Sequence, residues 1–141
     1  MHKGRTQTSW ELASWGVAVG SMIAVISVFP ALVGCSAVAV SRVPVRVEGN
    51  SLVDLKGMTL YVYDRDLQAK STCSGQCAAN WQPFVAAAEA RPAGDYSIVR
   101  RDDGGRQWAY KGRPLYSCLM DREPGDRAGD AFNNLWRTAK P

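Results

Sequence analysis

Cys73 and Cys77 are the residues whose type and spacing most directly suggest chemistry. They stand four apart with Gly75 between them. A regular helix keeps Cβ atoms at that spacing about 5–6 Å apart, wider than the roughly 3.5–4.5 Å that a disulfide needs. Gly75 lets the chain bend enough to close the gap, so a local Cys73–Cys77 bridge is expected in an oxidising compartment. Pairing of Cys118 with either one stays open. Otherwise Cys118 is an odd thiol that packs as a small hydrophobe. Cys73, Cys77, Cys118, Met58 and Met120 also make a set that suits Cu(I). Covalent haem wants Cys-x-x-Cys-His and a usual zinc site wants histidine; the single histidine is His2, near the start of the chain.

The carboxylates give less. Asp66 and Asp121 can be read as an acid–base pair, but capping of turns is the expected task. The loop from Asp121 to Asp130 is acidic, yet Arg122 and Arg127 interrupt it and calcium-loop spacing is missing. No Ser-His-Asp or Cys-His arrangement exists without a histidine in the folded part. Catalysis is therefore not expected, and neither is a cofactor.

The start of the chain decides the compartment. Lys3 and Arg5 precede an uncharged stretch, residues 12–34, which ends in Leu32-Val33-Gly34-Cys35. A positive start, an apolar middle and a small residue before the cut describe a secretory signal. Leu32, Gly34 and Cys35 look like the lipobox of bacterial lipoproteins. That likeness implies a signal over residues 1–34, a lipid on Cys35 and a short tether over 35–44. Rival readings are an uncleaved membrane span, cleavage after Ala37-Val38-Ala39, and a buried core helix. Ser36 in place of Asp favours the periplasmic face of the outer membrane, by analogy with lipoprotein sorting.

The elements that hold these residues are read from a repeat. Lys56, Gly57, Leu60, Tyr61, Asp66 and Trp81 recur 55 residues on as Lys111, Gly112, Leu115, Tyr116, Asp121 and Trp136; Arg46 and Gly49 meet Arg101 and Gly104 at the same offset. Eight identities without a gap indicate two copies of one unit, about 45–90 and 96–141 of a single domain. Short runs rich in aromatic and β-branched residues, parted by Gly-containing turns, read as strands. They are 45–48, 52–55, 59–63 and 81–85, then 96–100, 106–110, 114–118 and 136–139. The expected fold is all-β with minor short helical turns (71–80 and 86–90). Two four-stranded repeats form a sandwich or barrel with pseudo-twofold symmetry. One copy has too little apolar surface to stand alone. Tyr61, Tyr116, Trp81 and Trp136 are expected inside, an aromatic ligand groove being the rival.

Tyr61-Val62-Tyr63-Asp64-Arg65-Asp66 fits a Y-x-[FWY]-x-x-D motif. Gly57-x-x-Leu60-Tyr61, Ser71-Thr72-Cys73-x-Gly75-x-Cys77-Ala78-Ala79-Asn80-Trp81-x-Pro83 and Gly112-x-Pro114-Leu115-Tyr116, ending in Trp136, accompany it. Over about residues 50–141 the chain resembles the family of predicted bacterial lipoproteins named for that motif, also described as a secreted repeat of unknown function. The resemblance implies an envelope protein of tandem repeats and no established activity. Cys118 departs from it, standing where the second motif carries an aromatic residue.

The net charge is +4, and cleavage at Cys35 removes Lys3, Arg5 and Glu11. A mild, dispersed positive balance does not indicate a nucleic-acid partner. The sequence thus predicts a lipid-anchored envelope protein, a non-enzymatic structural or binding module. Its partners are the membrane, through the anchor, and an envelope polymer or protein. The alternative is an envelope copper-binding or redox accessory protein.

Overall fold

The computed structural model describes residues 42–141. The signal segment 1–34, Cys35, the Ala37-Val38-Ala39 motif and residues 35–41 of the tether lie outside the described residues. Chain order is β1 (Val45–Glu48), β2 (Ser51–Asp54), β3 (Leu60–Tyr63), α1 (Gln76–Asn80), β4 (Trp81–Pro83), β5 (Tyr96–Arg100), β6 (Arg106–Tyr110), β7 (Arg113–Pro114), β8 (Tyr116–Cys118) and β9 (Trp136–Thr138). A 3-10 turn, Phe132–Asn134, leads into β9. Of the two helical turns expected, residues 71–80 yield α1. Residues 86–90 form only a turn, closed by Ala90 N–H on the Ala87 carbonyl.

The protein is mostly β and contains two repeats. Hairpin β1-β2 belongs to the first copy and sheet β5-β6-β7 to the second. The central sheet, ordered β4-β8-β3-β9, takes strands from both. The sheets are not closed into a barrel; the arrangement is of the sandwich kind. Nine strands stand among the described residues instead of the eight expected, because the run 113–118 divides at Leu115. Its first part pairs with β6, and its second with β3 and β4.

The gapless offset of 55 needs correction. Val53 bridges Thr59 in the first copy, whereas Ala109 pairs with Pro114 in the second. The first copy turns through Leu55, Lys56 and Gly57; the second turns through Lys111 and Gly112 alone, both with positive φ, as a two-residue hairpin loop requires. The β1-β2 loop is Gly49-Asn50, while residues 101–105 join β5 to β6. Arg46 therefore lies within β1 and Arg101 within a loop, so two of the eight identities, Arg46 with Arg101 and Gly49 with Gly104, are not structural equivalents. From the turn glycines onward the offset of 55 holds.

At that offset the central sheet is symmetric. Tyr61 pairs directly with its own equivalent, Tyr116, so a pseudo-twofold axis passes between β3 and β8. The fourth strands are exchanged. β4 of the first copy pairs with β8 of the second, Trp81 opposite Cys118. β9 of the second pairs with β3 of the first, Trp136 opposite Tyr63.

Alternation along the strands divides the core in two. Leu60, Val62 and Leu115 face one way and pack with Leu52, Trp108 and Ala139 under the hairpins. Val43 and Val45 pack against this cluster. Tyr61, Tyr116, Trp81, Trp136, Cys73 and Cys118 form the second cluster on the opposite face.

Candidate functional site

The repeated motif residues meet on the second face, around the axis. Tyr61 and Tyr116 are fully buried; Trp81 and Trp136 nearly so. The two tryptophans start from the outer strands, lean over the tyrosines and stack on each other, centroids 3.7 Å apart and planes within 5°. Each also meets a tyrosine edge-on, Trp81 with Tyr61 at 5.4 Å and Trp136 with Tyr116 at 5.1 Å. Such pairs add about 0.5–1.5 kcal/mol beyond burial of area. The aromatics are core.

The polar ends are exchanged as the strands are. Tyr61 donates to Asp121 Oδ2 at 2.7 Å, and Tyr116 donates to Asp66 Oδ2 at 2.7 Å. Each Y-x-x-x-x-D motif is thus completed by the other copy. Both tyrosine hydroxyls titrate well above their ordinary value, chiefly because burial disfavours the anion. Burial likewise raises Asp66 and Asp121, against the opposing pull of their hydrogen bonds. The aspartates also hold turns: Asp66 accepts from Thr72 N–H at 2.7 Å, and Asp121 from Ala128 N–H at 2.8 Å. Each carboxylate is engaged by its own turn and by the other copy's tyrosine, which is a structural task rather than an acid–base dyad.

The turn glycines extend the exchange. Gly57 accepts from Gly125 N–H, and Gly112 from Ala69 N–H at 2.8 Å. Each Lys-Gly turn thereby receives the loop of the other copy. Glycine is favoured there because φ is +86° and +75°; at Gly57 a Cβ would also lie 3.0 Å from Pro124.

Cys73 and Cys77 are bonded to each other, with Cα atoms 5.3 Å apart. Cys118 is a free, buried thiol, which burial pushes above its usual value. Two of the three cysteines in the soft-donor set read from the sequence are thus joined in a disulfide. Among the described residues no group of three His, Cys, Asp or Glu side chains is placed to hold a metal. The acidic loop uses its carboxylates internally: Asp126 takes Arg122 and Glu123 N–H, and Asp130 takes Thr138 N–H.

Sequence reasoning missed the role of Arg101, which it noted as the repeat partner of Arg46. Its side chain is 6% exposed. It donates to Ser71 Oγ at 2.7 Å, Gln107 Oε1 at 2.9 Å and the Cys73 carbonyl at 2.8 Å, and pairs with Asp103 at 3.0 Å. Ser71 Oγ in turn lies 2.8 Å from the Tyr116 hydroxyl. This network ties the β5-β6 loop to the disulfide loop. Nothing in Arg-Arg-Asp-Asp-Gly-Gly marks one arginine as buried. Gly129 was missed too; a Cβ there would lie 2.5 Å from the Trp81 ring. Among the described residues no buried side-chain N or O lacks a partner.

Among the described residues, no helix is long and apolar enough to cross a membrane. Comparison with curated proteins and with solved structures finds no match. The model of a family described as a secreted repeat of unknown function matches residues 43–85 and again residues 97–140. Those two matches cover more than half the chain and coincide with the two copies that exchange strands, tyrosines and tryptophans, so the chain belongs to this family of secreted repeats of unknown function.

Proposed function

We propose that this secreted protein is a lipid-anchored module of the bacterial cell envelope with a structural or binding role and no catalysis of its own. The observation that carries the anchoring is Leu32-Val33-Gly34-Cys35 after an uncharged stretch. Cleavage there would leave Cys35 first and acylated, and two or more acyl chains hold a protein to a membrane stably. Ser36 after the cysteine favours the periplasmic face of the outer membrane. A disulfide within the fold agrees with an oxidising compartment. The non-enzymatic reading is supported by the motif residues themselves: the tyrosines, aspartates and tryptophans that both copies repeat are engaged with one another.

Labelling with radioactive palmitate tests the anchor. Wild-type protein takes up label and Cys35→Ala does not; equal labelling of the two would sink the assignment. Thiol and metal counts on the purified protein test the module. One free thiol, from Cys118, with no bound metal is the expected result. Stoichiometric copper lost in Cys118→Ser would instead make it a copper protein.

A further inference from the structure

An open pocket of about 330 Å³ lies beside β3 and β9, lined by Val62, Tyr110, Lys111, Arg113, Arg137 and Lys140 among others. Four cationic side chains from two distant stretches of sequence converge on it. Asp64 meets two of them, Arg113 at 2.9 Å and Arg137 at 3.6 Å. Among the described residues Lys111 and Lys140 make no ion pair. Arg137 is held by the carbonyls of Trp136 and Asn134, at 3.0 and 3.1 Å. Lys111 sits at φ +46°, an uncommon conformation for a side-chain-bearing residue. Its ammonium lies 4.9 Å from the centre of the Tyr110 ring.

The duplication supplies an internal control. At the offset of 55, Arg113, Arg137 and Lys140 correspond to Met58, Gln82 and Val85. The same backbone positions in the first copy carry no charge, so the fold does not require these cations. These three are present on one side alone, whereas the fourth cation, Lys111, is matched by Lys56.

We propose that this pocket binds a phosphate ester. Its phosphate would lie among Arg113, Arg137, Lys111 and Lys140, and its uncharged body would rest on Tyr110. Two guanidiniums and two ammoniums outnumber Asp64, the acidic side chain that meets them, and the carboxylate of Pro141 at the pocket's edge, so an excess of positive charge remains. A phosphate offers more charge and more acceptor oxygens than a second carboxylate, and guanidinium forks match its geometry. The site is independent of whether Cys35 is acylated.

The test uses full-length protein in non-ionic detergent micelles, titrated by calorimetry with glycerol 3-phosphate and, separately, with phosphatidylglycerol added to the micelles. Binding is expected to saturate and to weaken as salt rises. The variant Arg113→Met/Arg137→Gln/Lys140→Val carries the residues of the first copy and should keep the wild-type melting temperature. Its affinity should fall by at least roughly tenfold, the loss of one to two charge-assisted contacts. Lys140→Val alone, at an exposed position, gives a smaller loss. Saturation by glycerol 3-phosphate identifies a free or polymer-borne ester; saturation by phosphatidylglycerol alone identifies a lipid head group. The proposal is overturned if neither probe saturates by about 10 mM, which corresponds to under roughly 3 kcal/mol of binding, or if the triple variant binds as wild type does.

Discussion

Residues 66–81 and 121–136 have the same length and the same task, and they complete it by different means. Each runs from the motif aspartate to the tryptophan that stacks on the axis. The first is closed by Cys73–Cys77, with Cys73 buried against the aromatic cluster and α1 leading into Trp81. The second has no cysteine. It relies on carboxylates that hold backbone N–H groups, and on Gly129, whose missing side chain lets the backbone lie against Trp81. The symmetric contacts survive this difference, both Tyr–Asp bonds being 2.7 Å long. What the fold demands is a loop that lands a tryptophan in place, and the chemistry that closes the loop is interchangeable.

The copies differ in a second place. Tyr63 stacks on Trp136 at 4.4 Å, but its equivalent is Cys118. On that side Phe132, from the following loop, approaches Trp81 at 5.8 Å. A pocket of about 200 Å³ lies beside Trp81, lined also by Asn80, Leu119, Met120 and Phe132.

The hardest test of equivalence is to separate the copies. Residues 42–92 and 93–141 made as separate chains should each lack cooperative unfolding, since β4 and β9 find their partners only in the other half. Mixed, they should regain a cooperative melt and near-ultraviolet dichroism of packed tryptophans. A half that folds alone would break the exchanged-strand account. Next in size is Trp136→Ala, expected to cost about 3–5 kcal/mol in denaturant unfolding, as removal of a buried tryptophan does. Trp81→Ala should cost a similar amount, and the double variant less than the sum, because the rings touch. A much smaller loss from one of them would show that the copies carry unequal weight.

Replacing Cys73 and Cys77 by alanine should cost about 2 kcal/mol, the chain-entropy value for so short a loop. That cost is global, and local opening should add to it in the first loop alone, seen as a larger rise in amide exchange over residues 66–80 than over residues 121–135. The smallest effect is on pH dependence. Asp66 and Asp121 titrate above the ordinary carboxylate value because they are buried. Such groups bind protons more tightly when folded, so stability declines as pH rises from the ordinary range through their raised values. Asp103 and Asp126 titrate below it, held by backbone N–H groups and, for Asp103, by Arg101; their contribution is lost as pH falls. Melting temperature should therefore peak on the acid side of neutrality. Asp66→Asn and Asp121→Asn should each flatten the fall from that peak toward pH 7. An unchanged slope in either would mean that its carboxylate is not the group responsible.

Much of this fold is written locally. Runs such as Leu60-Tyr-Val-Tyr63 and Tyr96-Ser-Ile-Val-Arg100 alternate two faces and are bounded by turn residues, so their strands follow from the chain itself. The duplication was legible from Gly57 to Trp81 and its copy, because turn glycines, tyrosines and tryptophans tolerate few substitutes. It was misread upstream, where loops of different length made Arg46 and Arg101 coincide by number and not by place.

The sequence by itself determined the two units and the turns within them. Only the tertiary structure decided that each unit lends its last strand, its tyrosine and its tryptophan to the other. Local patterning cannot make that choice. β4 and β9 carry equivalent tryptophans, and either could satisfy the alternation and the open hydrogen bonds of β3 or β8. The selection comes from packing across the axis, where four buried aromatics and two exchanged Tyr–Asp bonds meet. The same holds for Lys111, Arg113, Arg137 and Lys140, which are unremarkable surface charges until the fold gathers them at one pocket.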